Sequence, residues 1–149
     1  MGDNSVTYEF LSTDIFERYD THLVFTGVTR NSKKILQNIT ENLDKVQPLL
    51  DTCDDAYQIL SEQNCDGFLS LLNKSWHQKK LTSSSVTEND KIKEIDSVLE
   101  NNETVCAHKL CGAGNGGFFL CFSKINTLKI PYEYVKINVE SNGVVGKIL

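Results

Sequence analysis

A cluster of glycines between two apolar segments limits what this chain can fold into more than any other feature. Four glycines fall within six residues, at Gly112, Gly114, Gly116 and Gly117. Because glycine adopts positive φ angles easily and weakens helices and strands, this cluster predicts a turn. The flanking segments, Val105–Leu110 and Phe118–Phe122, have the apolar and β-forming residues typical of strands. The pattern therefore predicts two strands joined by a glycine-rich loop.

Further extended segments lie near both ends of the chain. Val6–Leu11 alternates as a strand does, and His22–Thr26 is a short apolar run that ends at a glycine. Tyr132–Val139 is a third extended segment, and the Asn-Gly pair that follows predicts a tight hairpin turn into Val144–Leu149. The strands therefore lie on both sides of the middle of the chain.

The middle of the chain is predicted to be helical. A first helix is capped by Asn31 or Ser32, and a second begins near Asp44 because Pro48 is tolerated only in a first turn. The second carries one apolar stripe: Val46, Leu49, Leu50, Cys53, Ala56, Tyr57 and Leu60. A third helix runs from about Asp66 to Lys80, with Trp76 facing inward. A loop of Ser83, Ser84 and Ser85 follows. A fourth helix then begins near Thr87 and ends at Asn101.

Strands on either side of a helical block favour the α+β class. We expect an antiparallel sheet with a helical layer on one face. The length of 149 residues fits one domain, and no linker, repeat or low-complexity tract divides residues 1–149. The sequence thus predicts a single compact unit with its own core.

Charge and composition exclude several classes of function. The net charge of −5 and the absence of a basic face argue against a nucleic-acid partner. No apolar run is long enough for a membrane helix and no secretory signal begins the chain, so we expect a cytoplasmic protein with no membrane partner. Five cysteines and three histidines show no metal-ligand spacing, and we expect neither a disulfide framework nor a metal site.

The glycine-rich loop itself is a candidate anion site. Successive backbone N–H groups in such a turn can point into one concavity, and the missing side chains let a phosphate approach. The dinucleotide-binding pattern is excluded because a strand rather than a helix follows Gly117, and the phosphate-loop pattern is excluded because no Gly-Lys-Ser/Thr is present. A close-packed turn that binds nothing remains the alternative.

Three segments together resemble a known family. Lys109–Leu120 resembles the third motif of the GHMP kinases, named for galactokinase, homoserine, mevalonate and phosphomevalonate kinases. Phe25–Leu36 and Leu71–Leu81 are similar to the C-terminal half of bacterial kinases that act on D-glycero-D-manno-heptose 7-phosphate. The three segments follow that family's order, and the resemblance covers nearly the whole chain.

The resemblance implies a kinase that uses ATP and Mg²⁺ and has two lobes, the C-terminal one ferredoxin-like. It implies that the loop binds nucleotide phosphates through Gly112, Ala113, Gly114, Asn115, Gly116 and Gly117. It favours contacts to a phosphosugar from Thr29, Arg30, Lys79, Lys80 and Lys109. Each of these also has a structural alternative: helix capping for the threonine, and solvated cations for the arginine and the lysines. A side chain at Gly114 is expected to harm turnover more than folding.

Two departures from the family qualify these expectations. Nothing in the sequence matches the family's N-terminal ATP-binding lobe, which supplies the catalytic acidic residue, so the catalytic residues stay unknown and the isolated chain is expected to be inactive. The segment between Phe122 and Pro131 is also too short for the usual second helix of a ferredoxin-like domain.

Three functions therefore stay open: the C-terminal lobe of a heptose-type sugar kinase, the lobe of a fucokinase- or mevalonate-type enzyme, or a non-catalytic binding or dimerisation module. The first two need the missing lobe, or a separate chain that supplies it, and a homo-oligomer is compatible with all three.

Overall fold

A computed structural model describes residues 11, 14–29 and 45–140 of the chain. The predicted strand at residues 6–11, the helix expected after Asn31 and the hairpin at Asn142 lie outside these residues, except for Leu11 itself. Arg30 also lies outside them. No helix among the described residues is long and apolar enough to span a bilayer.

A four-stranded antiparallel sheet forms the centre of the described structure. Its strands are β1 (Tyr19–Phe25), β2 (Val105–Leu110), β3 (Phe118–Lys124) and β4 (Tyr134–Ile137). They lie in the order β2-β3-β1-β4, and every neighbouring pair is antiparallel. The predicted strands that fall on described residues, and the glycine loop between β2 and β3, are therefore confirmed, although β4 is shorter than the sequence pattern suggested.

Four α-helices accompany the sheet in the described part of the chain. They are α1 (Ile15–Arg18), α2 (Gln47–Ser61), α3 (Cys65–Thr82) and α4 (Asp90–Glu100). A 3₁₀ turn at Ser84–Thr87 replaces part of the serine loop that the sequence predicted. The last helix is capped by Asn89, whose side chain accepts from the Lys91 N–H, rather than near Thr87. Asparagine is at least as good a cap as threonine, and the 3₁₀ turn already uses Thr87.

The main core lies on the sheet face of Phe119 and Cys121. The residues buried there come from the sheet, from α3 and α4, and from the 3₁₀ turn: Val24, Trp76, Val86, Ile92, Ile95, Leu99, Leu110, Phe119, Cys121 and Leu128. A smaller cluster brings Ile15, Cys65 and Leu69 against Ala107 and Phe122. Because successive strand residues point to opposite faces, Phe122 belongs to the opposite face from Cys121. The predicted inward position of Trp76 is confirmed, since its side chain is only 2% exposed.

Helix α3 covers the β2 edge of the sheet. The Asn73 side chain donates from Nδ2 to the Cys106 carbonyl at 3.1 Å and accepts from the His108 N–H at 3.1 Å. One side-chain amide thus replaces the hydrogen bonds that another strand would make. This protects the edge from pairing with a second chain.

The apolar stripe predicted along α2 is only partly buried. Leu50 and Tyr57 of that stripe are 55% and 49% exposed, and Thr52 is the buried residue of the helix. The reason is that α2 packs on α3 rather than on the sheet, so only part of the stripe meets another element. A shallow apolar pocket remains between the two helices.

The topology is that of a split β-α-β unit. Strands β1 and β2, which the helices connect, flank β3, and β4 lies on the other side of β1. This is the arrangement of a ferredoxin-like domain without its second helix. The connection from β3 to β4, residues 125–133, contains turns and no helix, as its short length predicted.

Candidate functional site

The loop between β2 and β3 has an unusual backbone. Five of its seven residues have positive φ: Gly112 (75°), Gly114 (120°), Asn115 (52°), Gly116 (151°) and Gly117 (92°). Residues with a β-carbon adopt such angles rarely, and asparagine is among the few that tolerate the left-handed region. The glycine-rich sequence is therefore required by the conformation of the loop.

Asn115 fastens the loop to the start of α4. Its backbone N–H donates to the Val86 carbonyl at 2.7 Å, and its side-chain Oδ1 accepts from the Asn89 N–H at 2.8 Å. Val86 belongs to the 3₁₀ turn and Asn89 caps α4. The loop and the positive end of the α4 dipole are thus held next to each other.

The end of β1 fastens the other side of the loop. Thr26 donates from Oγ1 to the Gly117 carbonyl at 2.7 Å and accepts from the Val28 N–H at 3.2 Å. The Gly117 N–H in turn donates to the Val28 carbonyl at 3.0 Å. Thr26 is fully buried, so its hydroxyl has a structural role rather than a role in substrate contact.

The two ends of the loop differ in how much space surrounds them. A β-carbon on Gly114 would lie 2.9 Å from the Val86 carbonyl oxygen and 3.0 Å from its Cα, which is too close for any side chain. A β-carbon on Gly117 would meet nothing within 4 Å. Gly114 is therefore a packing residue as well, which the sequence did not predict, and Gly117 faces open space.

The loop amides are only partly available to a ligand. Those of Asn115 and Gly117 donate to backbone carbonyls. Among the described residues, no hydrogen bond is made by the amides of Gly112, Ala113, Gly114 or Gly116. Gly114 and Gly116 are buried, whereas Gly112 is exposed and Ala113 half-buried. The accessible donors are accordingly those at the start of the loop.

Of the predicted cationic residues that the structure describes, Lys79 is bonded to the loop. Its ammonium group donates to the Gly112 carbonyl. Lys109 points instead to Ser75 Oγ at 3.1 Å, and Lys80 pairs with Asp96 at 2.7 Å. Thr29 is exposed and directly follows the segment that binds Gly117. The structure thus brings Lys79 to the loop and separates Lys80 from it.

Lys91 is a cation at the loop that the sequence did not indicate. A β-carbon on Gly27 would come within 2.7 Å of Lys91 Nζ, so this ammonium group lies over the end of β1. The same segment of β1 binds Gly117. No sequence signal marks Lys91, because its position depends on how α4 approaches the sheet.

A buried carboxylate, Asp96, is a second residue that the sequence reasoning missed. Its Oδ1 accepts from Trp76 Nε1 at 2.6 Å and lies 2.8 Å from His108 Nε2, while Oδ2 binds Lys80 Nζ at 2.7 Å. Burial alone would raise the pKa of Asp96, but the bonds from His108, Lys80 and Trp76 outweigh it and hold the pKa at about 2. A sequence signal existed, since Asp96 lies on the apolar face of α4 between Ile92 and Leu99.

The described residues contain no group of three His, Cys, Asp or Glu side chains that could hold a metal ion. The carboxylate of Asp96 is already bound by three donors. These residues therefore do not fit a Mg²⁺ site of their own. The arrangement can offer backbone donors and ammonium groups to an anion.

Comparison with known structures supports the fold. The chain is similar to the crystal structure of L. major mevalonate kinase in complex with R-mevalonate, with a TM-score of 0.57 and 18% sequence identity. The similarity covers 71% of this chain and 34% of that chain. The chain has the fold of a GHMP kinase C-terminal domain.

In this fold the glycine loop joins the edge strand β2 to its neighbour β3. The chain spans about a third of the length of the mevalonate kinase it matches. No protein-family model and no curated protein matches the sequence. At 18% identity the similarity concerns the fold and not the substrate.

Proposed function

We propose that the chain is the C-terminal lobe of an ATP-dependent small-molecule kinase and that its glycine loop binds nucleotide phosphates. The observation that carries this proposal is the loop itself. Five of the six residues Gly112–Gly117 have positive φ angles, Asn115 and Gly117 are bonded to neighbouring elements, and open space lies over Gly117. A rigid, side-chain-free loop of this kind is what a phosphate needs to approach backbone donors.

The chemistry of phosphoryl transfer fits these groups. Such transfer depends mainly on positioning and on stabilising the charge that the phosphate oxygens carry. The amides of Gly112 and Ala113 supply donors that do not have to reorganise. Lys79 and Lys91 add positive charge on either side of the loop. No general base is assigned to this chain, and the catalytic acidic residue belongs to the lobe that we propose to be missing.

ATP and Mg²⁺ are proposed as the cofactors of the intact enzyme. The loop fits the phosphates of ATP because it combines accessible amides with open space. When bound, ATP supplies the phosphoryl group and Mg²⁺ neutralises its charge. The described residues do not fit a metal site, so the metal would be held by the nucleotide and by residues outside this chain.

The substrate is proposed to be a heptose 7-phosphate-like sugar, phosphorylated at its anomeric hydroxyl. The support comes from the sequence segments Phe25–Leu36 and Leu71–Leu81. The second of these lies in α3 and carries Lys79 to Gly112. Thr29, Arg30 and Lys109 remain candidate substrate contacts, whereas the ion pair between Lys80 and Asp96 gives Lys80 a positioning role.

An exposed apolar surface supports the idea that another lobe or chain packs on the sheet. Phe25 and Phe118 are 46% and 41% exposed and their rings lie 5.3 Å apart. Val135, on the neighbouring strand β4, is 56% exposed. Contiguous apolar residues of this kind mark interaction surfaces more often than free surfaces.

The test is a titration of the ¹⁵N-labelled chain with ATP and with inorganic triphosphate. We expect weak binding, with chemical-shift changes at Gly112, Ala113 and Gly117 that the variant Gly117→Ala reduces. A matched variant, Lys74→Met, changes an exposed cation of α3 that does not face the loop, and should leave the shifts unchanged. Chemical-shift changes that occur elsewhere but not at the loop residues would disprove phosphate binding at the loop.

A separate assay addresses the missing lobe. The isolated chain should show no ATP-dependent phosphorylation of heptose 7-phosphate, because the resemblance assigns the catalytic acidic residue to the other lobe. Turnover above background by this chain alone would refute the C-terminal-lobe proposal.

The alternative is a non-catalytic binding or dimerisation module. It is favoured by two loop amides that already donate to carbonyls of the protein and so are not available to a phosphate. It predicts self-association in sedimentation experiments without any triphosphate response in the loop.

A further inference from the structure

A pocket between α2 and α3 is a feature of the described surface that the proposed phosphate-binding loop does not explain. Its volume is about 350 Å³. Its walls are mainly apolar, formed by Leu49, Leu50, Ala56, Phe68, Leu71 and Leu72. Pockets of this size and composition are typical of small-molecule sites.

The polar groups of the pocket are grouped together. Ser75 and Lys79 lie one turn apart on α3, and Ser75 Oγ accepts from Lys109 Nζ at 3.1 Å. Lys79 is also bonded to the Gly112 carbonyl. The pocket therefore combines a long apolar wall with a small hydroxyl and ammonium cluster.

Lys109 is the unusual member of this cluster. No carboxylate among the described residues pairs with its ammonium group, whose hydrogen-bond partner is the neutral Ser75 hydroxyl. Burial lowers the pKa of Lys109, and the titratable groups that oppose this effect are the thiols of Cys53 and Cys111. A partly buried cation without a counter-ion is costly, and an anion in the pocket would remove that cost.

We propose that this pocket binds a single-chain aliphatic monocarboxylate, with its carboxylate on Lys109 and Ser75 and its hydrocarbon chain along α2 and α3. The charge of the ligand follows from that of the site. Lys109, which has no carboxylate partner among the described residues, is neutralised by one carboxylate, whereas a phosphate monoester carries about −1.5 to −2 and costs more to transfer into an apolar pocket. The apolar wall favours a hydrocarbon chain, since the side chains of Thr52 and Cys53 in it already donate to the Leu49 carbonyl.

The size of the ligand follows from the volume. If each heavy atom takes about the 30 Å³ that a water molecule occupies in the liquid, the pocket holds roughly twelve such atoms. Decanoate has this size. The proposal does not depend on the kinase function, because a simple alkanoate has no hydroxyl group to accept a phosphoryl group.

The experiment is calorimetric titration of the full chain with decanoate below its micelle concentration. We expect saturable binding to one site, with decanol and decyl phosphate binding more weakly. Lys109→Met keeps the length of the side chain and removes its charge, so affinity should fall about tenfold or more. Lys74→Met, on α3 but outside the pocket, should stay within twofold of the wild type.

A second pair of variants tests the apolar wall. Leu50 lines the pocket and is 55% exposed, so Leu50→Asp should fold and still weaken decanoate binding by repulsion. Leu81 is 62% exposed and outside the pocket, so Leu81→Asp is the matched control. Thermal unfolding without ligand confirms that each variant folds. Equal affinity of the wild type and Lys109→Met, equal affinity for decanoate and decanol, or tighter binding of decyl phosphate would each overturn the proposal.

Discussion

The side-chain oxygen of Asn115 accepts a hydrogen bond from the backbone N–H of Asn89 at 2.8 Å. Asn89 at the same time caps α4 through the Lys91 N–H. The glycine loop and the first turn of α4 are thus joined through two asparagines. Any ligand that moves the loop must also disturb the cap, so the rigidity of the loop depends on α4.

The first prediction concerns Asn115. Asn115→Gly keeps the positive φ of 52° accessible but removes the bond to Asn89, and should lower the free energy of unfolding by about 1 kcal/mol. Asn115→Ala loses the same bond and adds strain of about 1 kcal/mol more. Urea denaturation of the three proteins should rank them Asn, Gly, Ala. An alanine variant as stable as the glycine variant would contradict the assigned backbone conformation.

The second prediction separates the two ends of the loop. Gly114→Ala forces a β-carbon against the Val86 carbonyl at a φ of 120°, and should cost about 3 kcal/mol of stability. Gly117→Ala has open space at a φ of 92°, and strain alone should cost about 1 kcal/mol.

The two variants should also differ in function. In a two-lobed enzyme, Gly117→Ala should lower turnover more than stability, because its methyl group enters the space proposed for phosphate. Gly114→Ala should lower both. Thermal unfolding gives the stability of each variant and phosphoryl transfer gives its turnover. Equal thermal shifts for the two variants would show that the loop is packed alike at both ends.

Much of the fold was predictable because local patterns determine it. Four glycines between apolar runs can form little except a turn between strands, and the strand pattern around His22 and Tyr134 was as clear. The stripe of α2 was predicted from its spacing, yet Leu50 within it is exposed. Periodicity reports which residues share a face, but not which element covers that face.

The site was less predictable because its contacts join residues that are distant in sequence. The packing of Gly114 on Val86, the position of Lys91 over Gly27 and the bond from Thr26 to Gly117 all depend on how α4 meets the sheet. A glycine in the sequence shows that a side chain is absent, but not whether protein or ligand fills the space. Only the coordinates separate these two roles.

The third prediction concerns the buried network around Asp96. Asp96→Asn leaves Lys80 and His108 without their carboxylate, and should lower the free energy of unfolding by about 3 kcal/mol. Asp90→Asn, at a side chain that is 98% exposed, is the control and should change it by less than about 0.5 kcal/mol. Chemical denaturation at neutral pH measures both. Similar values for the two variants would show that the network contributes little.

The same network should make the stability of the fold depend on pH in the acid range. The pKa of Asp96 is about 2 in the folded protein, below its ordinary value of 3.8. A carboxyl with a lowered pKa stabilises the fold above its unfolded pKa, and this contribution is lost as the pH falls through the folded value. Wild-type stability should therefore decrease more steeply than that of Asp96→Asn between about pH 4 and pH 2.

The fourth prediction concerns His22, a buried histidine on β1. Its side chain is 4% exposed, its Nδ1 has no hydrogen-bond partner among the described residues, and its ring meets Tyr134 edge-on at 5.3 Å. Burial lowers the pKa of His22; Asp20 opposes this effect and Lys136 adds to it. The unfolded chain therefore takes up a proton at about pH 6.5, before the folded protein does.

Stability should accordingly decrease as the pH falls from 7 to 5. His22→Phe keeps an aromatic ring against Tyr134 and removes the proton site, so its stability should vary less over this range. His77 is exposed, and His77→Phe should keep the wild-type slope. The measurement is the midpoint of urea unfolding at pH 5, 6 and 7 for the three proteins. If His22→Phe retains the full wild-type slope, the proton that destabilises the fold binds to another group, and Asp20 and Lys136 would be the next pair to substitute.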